Sequence, residues 1–237
     1  MNNRFFCTVM FLVFSCLYSQ EESIQPDRPD QSESTSTVPF HYLQIETGLL
    51  SEKVNKNENS SLLPTILWKY AISPKTELRL ITEAELLKEN KNSEYNFKPI
   101  TIGMKTALIK EKGWLPDIAF LGHLEVLSKN SEGTERVVPS FRFAFQNTLS
   151  ETISLSYNLG MQWNPDLQEF YHYTFTIGKS FSEKLGGFAE FYGFLSPHSL
   201  PITVLMRVLL ICCTMIWWWI FPEVSGFRKF LPIILFP

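Results

Sequence analysis

Apolar and polar residues alternate along this chain between residues 40 and 200, a period of two that is typical of β-strands with one apolar and one polar face. The clearest example runs from Glu77 to Leu86, where Leu78 and Leu80 share the apolar face. The polar face of this segment carries charged residues: Glu77, Arg79, Glu83 and Glu85. Because faces this charged suit a hydrated lumen better than the core of a soluble sandwich, the pattern predicts an all-β, antiparallel up-and-down transmembrane β-barrel.

Connection lengths support this prediction. Short turns at residues 73–76, 110–115, 150–152 and 182–184 alternate with longer polar loops at residues 50–61, 87–98, 128–136 and 164–169. Short turns on one side and longer loops on the other are typical of a bacterial outer-membrane barrel. About nine strands long enough to cross a bilayer fit before residue 200. An odd number does not close a barrel of this type, so we expect about twelve strands in the intact protein.

The polar faces supply the candidates for residues that line the lumen. They are Glu77, Arg79, Glu83, Glu85, Lys105, His123, Glu125, Arg142, Gln146, Asn158, His172 and Glu190. Two interpretations stay open, because these charges either form a selective lumen or pair with one another and fill a narrow barrel. The histidines have no paired ligand spacing, so no metal site is predicted. We also expect no cofactor and no enzymatic activity, since Ser154 and Ser156 lack a nucleophile-elbow glycine pattern.

The N-terminal residues are typical of an exported protein. Arg4 precedes a short apolar run, which predicts a signal peptide at residues 1–19; a lipoprotein cysteine at Cys16 is the alternative. Residues 20–37 are rich in Ser, Thr, Gln, Asp and Pro, a composition that predicts a flexible periplasmic lead-in. Residues 20–200 contain no cysteine, which suits an exported protein that its fold stabilises without disulfides.

The last segment, residues 201–237, breaks the alternation with an apolar run that includes Trp217, Trp218 and Trp219. Met and Trp have single codons, so the codons from Met215 to Ile220 are largely fixed. Read from the third base of each codon, they encode Asp, Val and a second acidic residue, in keeping with the preceding pattern. We therefore expect an aberrant, frameshifted hydrophobic tail and an incomplete barrel at residues 38–200, with its first strand unpaired. A genuine transmembrane helix is the alternative.

A short motif adds a family resemblance. The segment from Ile24 to Ser34 contains an Asp-Arg-Pro element whose key residues are Asp27, Arg28, Pro29 and Asp30. It resembles the start of outer-membrane transporters grouped as the MetA-pathway of phenol degradation family, and the resemblance extends over residues 20–200. It implies a barrel in the outer membrane of a Gram-negative bacterium, loosely associated with uptake of small, often aromatic compounds. Asp27, Arg28 and Asp30 either pin the N-terminal segment to the barrel or belong to a solvated linker.

These observations predict a transporter or channel for small solutes, truncated by the frameshift. The alternative is a non-conducting structural or adhesive outer-membrane barrel whose loops contact other surface molecules. The expected partners are outer-membrane lipid, the barrel assembly machinery and a small-molecule solute. A formal net charge of -3 gives no basic footprint for nucleic acid.

Overall fold

The computed structural model of the protein describes residues 27, 31–53, 58–89, 92–182, 185–197, 199–211, 217–221 and 226–236. These residues form an all-β fold of thirteen strands. The strands are β1 (Leu43–Lys53), β2 (Glu58–Ser73), β3 (Thr76–Glu89), β4 (Asn92–Phe97), β5 (Ile100–Ile109), β6 (Asp117–Lys129), β7 (Glu135–Ser150), β8 (Ile153–Trp163), β9 (Glu169–Ser182), β10 (Leu185–Ser196), β11 (Ser199–Ile211), β12 (Trp217–Phe221) and β13 (Gly226–Phe236). Within these ranges, no helix is long and apolar enough to span a membrane.

The strands form one antiparallel up-and-down barrel, as the alternation predicted. From β5 to β13, each strand pairs with the next along the chain. At the seam, β13 pairs with β1, which pairs with β2, and β2 in turn pairs with β3. The ring therefore closes on itself, and each described strand except β4 pairs with at least two others.

One position in the ring is shared by two strands. The first half of β3 pairs with β5, from Thr76 with Thr106 onward. Its second half pairs with β4, from Ala84 with Phe97 to Glu89 with Asn92. The two partners are separated at Pro99, which has no backbone N–H to donate to a ladder. The loop expected at residues 87–98 is thus largely an extension of the sheet, and the ring has twelve positions for thirteen strands.

The C-terminal strands complete the barrel in the frame given. The expectation that the first strand lacks a partner is wrong, because β1 and β13 pair from Leu43 with Phe236 to Glu52 with Gly226. The alternative of a helix also fails in residues 199–211, 217–221 and 226–236, which are strands. Sheet hydrogen bonds join backbone groups, so an uninterrupted apolar run pairs as readily as an alternating one. Whether the gene carries a frameshift is a separate question, and that remains a prediction.

The predicted division into two faces is confirmed. On β3, Leu78 is 48% exposed and Leu80 is 36% exposed. Glu77, on the other face of the same strand, is fully buried. The same outer exposure holds for apolar residues on other strands: Ile100, Ile102, Met104, Leu108, Phe143, Leu159, Phe175, Ile177 and Phe191. From β3 to β10, the described side chains are therefore largely apolar on the outside of the barrel, and buried charges lie on the inside.

Candidate functional site

A stretch of chain from the N-terminus fills the lumen of the barrel. We name Asp27 together with residues 31–38 the luminal segment. Asp27, Ser32 and Val38 are buried, and side chains from the inner faces of β2, β3, β5 and β7 to β10 contact the segment. A segment with contacts on so many strands of a closed ring lies inside that ring.

The prediction of a flexible lead-in at residues 20–37 is therefore wrong for the luminal segment. Its polar composition allows disorder only where water is the best partner, and here the inner wall supplies hydrogen-bond partners instead. Of the two alternatives for the motif, pinning to the barrel is confirmed at Asp27. Arg28, Pro29 and Asp30 lie outside the described residues, as do residues 1–19.

The Asp27 carboxylate lies at the meeting point of three cationic side chains. Lys69 Nζ and Arg79 Nη1 each lie 3.0 Å from Oδ2, and Lys105 Nζ lies 3.0 Å from both carboxylate oxygens. Ser34 Oγ donates a further bond of 2.7 Å to Oδ1. The side chains of Asp27, Arg79 and Lys105 are 0% exposed and that of Lys69 is 2% exposed. Charge pairing inside protein is strong only when charges are this well matched.

The cations belong to one side of the barrel, which we call the ionic wall. It consists of charged inner-face residues on β1, β2, β3 and β5: Glu46, Lys69, Glu77, Arg79 and Lys105. Within it, Arg79 also contacts Glu77 at 3.2 Å, and Lys69 also pairs with Glu46. Arg79 Nη2 donates to Glu33 of the luminal segment at 2.9 Å. The ionic wall therefore holds the segment through its acidic side chains.

The opposite side of the barrel holds the segment by its backbone. We call this side the acceptor wall, and it consists of polar inner-face residues on β8, β9 and β10: Asn158, Thr174, Thr176 and Glu190. The Glu190 carboxylate accepts the backbone N–H groups of Gln31 at 3.0 Å and Ser32 at 2.7 Å. Asn158 Oδ1 accepts the N–H of Glu33 at 2.6 Å, and its amide nitrogen donates to the Glu33 carbonyl at 3.1 Å.

Two further contacts complete this grip. Ser32 Oγ lies 2.6 Å from Thr174 Oγ1 and 2.7 Å from Thr176 Oγ1. From the neighbouring strand β7, Arg142 Nη1 donates to the Gln31 carbonyl at 2.9 Å. Both the N–H and the carbonyl edges of this part of the segment are thus satisfied by wall side chains.

Two inner-face glycines make room for large side chains. A Cβ placed on Gly103 would lie 2.3 Å from Cδ2 of His123, so the imidazole lies directly over this glycine. A Cβ on Gly160 would lie 2.5 Å from the Phe141 carbonyl and 3.2 Å from Cβ of Arg142. These close approaches exclude any side chain larger than hydrogen at either position.

Seven of the predicted lumen residues contact the luminal segment. They are Glu77, Arg79, Lys105, Arg142, Gln146, Asn158 and Glu190. His172 is buried on the inner face of β9, and its ring packs 5.4 Å from that of Phe194. His123 lies over its glycine on β6, and Glu125 is half-buried on the same face.

The remaining two predicted residues contact the wall itself. Glu83 accepts a bond of 2.5 Å from Thr65 Oγ1, and Glu85 pairs with Lys98 at 3.2 Å. The structure therefore brings seven of the candidates together around the luminal segment, whereas Glu83 and Glu85 contact side chains of the wall.

Sequence reasoning missed several residues of the site. They are Ser32, Glu33, Glu46, Lys69, Thr174 and Thr176. Lys69 had a usable signal, because a single cation between Trp68 and Tyr70 in an otherwise apolar strand belongs on the opposite face from these aromatic residues. Ser32 and Glu33 gave no such signal, since their composition resembles that of a linker.

Within the described residues, the structure has no cluster of three or more histidine, cysteine or acidic side chains arranged to hold a metal ion. The site is instead a set of ion pairs and backbone acceptors around a chain segment.

The family model for the MetA-pathway of phenol degradation matches residues 26–201 of this chain. The chain belongs to this family. The match begins one residue before Asp27, so the luminal segment is part of what this chain has in common with the MetA-pathway of phenol degradation family. No curated protein matches the chain.

Proposed function

We propose that this protein is an outer-membrane β-barrel of a Gram-negative bacterium that passes small solutes through its lumen. The observation that carries the proposal is the closed ring with exposed apolar side chains outside and buried charges inside. An exposed apolar surface of this kind is costly in water, whereas it matches the hydrocarbon of a bilayer. A closed ring also pairs the two outer strand edges that an open sheet would expose to lipid.

Strand lengths support a membrane location. The strands from β5 to β10 have between 10 and 16 residues each. A tilted strand needs about 9 to 11 residues to cross a bilayer. We take lipid and the barrel assembly machinery as the partners of the folded protein, reached after export by a signal peptide. Family membership supports a small, often aromatic solute, and we propose no catalytic step.

A specific observation favours a second candidate function. The luminal segment fills the interior where a solute would pass, and its contacts satisfy the wall on both sides. A barrel filled in this way also suits a non-conducting structural or adhesive role, in which the loops contact other surface molecules.

Conductance separates the two candidates. Purified protein in planar bilayers is expected to give discrete conductance steps, or in liposomes to admit small solutes such as benzoate. An empty barrel lumen created by deletion of residues 20–37 should conduct more than the full chain. Absence of conductance from both proteins would contradict the transport proposal and favour the structural role.

Membrane location has its own test. Leu80 lies on the outer face, so Leu80→Arg places a charge in lipid at a cost of roughly 2 to 4 kcal/mol near the midplane. We expect loss of the heat-modifiable folded form on gels. In intact cells, cysteines at Asn92 and Asn130 should react with a membrane-impermeant reagent, while cysteines at Lys75 and Glu151 should not. Reaction of the second pair would contradict the orientation.

A further inference from the structure

We propose that the luminal segment is a displaceable plug, and that the three cations around Asp27 form a binding site for the carboxylate group of a solute. This inference rests on the proposed function as a solute channel and names both the class of solute and the way the channel opens. In the closed protein, the Asp27 carboxylate occupies the site that the solute would take.

The carboxylate site is built from the wall. Lys69, Arg79 and Lys105 approach from three neighbouring strand positions, β2, β3 and β5, and their side chains are no more than 2% exposed. The wall residues that contact one another here are three cations, Lys69, Arg79 and Lys105, and two anions, Glu46 and Glu77, which leaves a net charge of +1 before Asp27 is counted. The segment supplies two carboxylates to these cations: the fully buried Asp27, and Glu33, which is 16% exposed and pairs with Arg79.

The rest of the segment is held by polar contacts: hydrogen bonds to the wall and the ion pair of Glu33 with Arg79. Residues 31–37 are Gln, Ser, Glu, Ser, Thr, Ser and Thr, with no apolar side chain among them. Departure of these residues transfers no apolar side chain of the stretch itself to water, so this stretch adds little hydrophobic cost. Val38 is buried, and its N–H donates to Glu77 at 2.7 Å, which makes it the natural end point of the displaced stretch.

The charges explain why the plug stays in place until a suitable solute arrives. Withdrawal of Asp27 leaves three buried cations with two carboxylates, and an uncompensated buried charge is strongly unfavourable. A carboxylate solute restores the pairing, and Lys105 regains an acceptor in place of Asp27. A neutral solute of the same shape does not. A short tether holds Asp27 at a local concentration in the millimolar range, so we expect the solute to act at about millimolar levels.

A disulfide lock tests whether the plug must move. Ser32 Oγ is 2.6 Å from Thr174 Oγ1, so Ser32→Cys with Thr174→Cys brings two thiols into bonding range. The background carries Cys212→Ser and Cys213→Ser, which removes the cysteines that follow the predicted signal peptide. In liposomes, benzoate uptake by the oxidised protein should fall at least about tenfold and return on reduction. Oxidised Ser32→Cys alone is the control and should transport normally.

Two results separate the inference from the proposed function. If the protein lacking residues 20–37 passes no benzoate, the channel proposal fails. If that protein conducts and the oxidised lock transports as fast as its reduced form, the plug is not displaced and the inference fails. Should the deletion variant fail to assemble, the oxidised and reduced forms of the lock still give the comparison within one protein.

Charge selectivity tests the site itself. In the cysteine-free background, a thiol reagent should modify Ser32→Cys several-fold faster with millimolar benzoate than without it, and benzamide, its neutral analogue, should have no effect. Asp27→Asn should give fast modification without benzoate, because the tethered carboxylate is gone. Asp166→Asn, an exposed acid outside the lumen, is the matched control. Equal effects of benzoate and benzamide, or none from either, would overturn the carboxylate site.

Discussion

The ionic wall and the acceptor wall hold the same short segment by different chemistry. The ionic wall pairs charges with the side chains of Asp27 and Glu33, whereas the acceptor wall takes up the backbone N–H groups of Gln31, Ser32 and Glu33. Side-chain recognition depends on which residues the segment carries, while backbone recognition does not. The two sides therefore differ mainly in charge. Glu46 and Glu77 of the ionic wall also accept the backbone N–H groups of Asp27 and Val38. The acceptor wall contributes mainly backbone bonds, and the Ser32 hydroxyl is its side-chain contact.

The largest effect should come from the ionic wall. Arg79→Leu removes the partner of Asp27, Glu77 and Glu33, and loss of one member of a buried charge cluster costs about 3 to 5 kcal/mol. The free energy of unfolding in urea, measured in detergent micelles, should fall accordingly. Lys110→Leu is the matched control, because this lysine is 90% exposed and its pair with Asp117 contributes about 0 to 1 kcal/mol. Similar losses in the free energy of unfolding from both substitutions would contradict a special contribution of the ionic wall to stability.

A smaller effect is expected at the carboxylate of the acceptor wall. Glu190→Gln keeps the side-chain shape but removes the charge and turns one acceptor atom into a donor that faces the N–H groups of Gln31 and Ser32. Hydrogen bonds to a charged group contribute about 1.5 to 3 kcal/mol, so the stability should fall by that amount or less. Hydrogen exchange should accelerate at these two amides. Unchanged exchange there would mean that the acceptor wall does not hold the segment.

The hydroxyl contacts should matter less again. Thr174→Val is close to isosteric and removes one bond to Ser32, whose hydroxyl keeps Thr176 as a partner. A neutral hydrogen bond contributes about 0.5 to 1.5 kcal/mol, so we expect a loss in the lower part of that range. Unfolding in urea measures it. A loss larger than that from Glu190→Gln would reverse the order predicted within this wall.

The smallest effect on stability should appear at Asp166, an exposed carboxylate that accepts a backbone N–H group as Glu190 does inside the barrel. Asp166 Oδ1 accepts the N–H of Ser131 at 3.0 Å and its hydroxyl at 2.8 Å, and these bonds lower the pKa of the Asp166 carboxyl from its ordinary value of 3.8. A lowered pKa means that the contact is present above the ordinary value and is lost as the pH falls through the folded value. Relative to an unstructured peptide at the same pH, exchange at the Ser131 amide should therefore be slowed at neutral pH, and this protection should be lost as the pH falls through the lowered pKa of Asp166.

Asp166→Asn should accelerate the same exchange at neutral pH without a measurable change in unfolding. A clear loss of global stability from this substitution would show that burial is not what separates Glu190 from Asp166.

The sequence predicted the barrel well because the alternation of apolar and polar residues in each strand shows which side chains face outward. Leu78 and Arg79 could be assigned to opposite faces from their spacing alone, and the nine ring positions before residue 200 followed from the turns. The partners of these inner residues were not predictable in the same way. Whether Arg79 meets Asp27 depends on the N-terminal segment entering the ring, and a Ser- and Thr-rich segment has the same composition in a linker and in a polar lumen.

The C-terminal strands illustrate the opposite limit. Side-chain pattern argued against a sheet at Trp217 to Trp219, yet the backbone of β12 pairs with both β11 and β13. Alternation indicates which face is buried, but it does not decide whether a segment between two open edges joins them. The ring needs strands at these positions, and that requirement lies outside any local pattern.

The separation in sequence between the luminal segment and its partners implies an order in time. Asp27 lies 42 residues from Lys69, 52 from Arg79 and 78 from Lys105, whereas Gln31 lies 159 residues from Glu190 and Ser32 lies 142 from Thr174. Closure of a longer chain loop costs more entropy. We therefore expect Asp27 to meet its three cations before Gln31 and Ser32 meet their partners on the acceptor wall. In that order, the most costly charges of the lumen are neutralised before the rest of the segment is fixed.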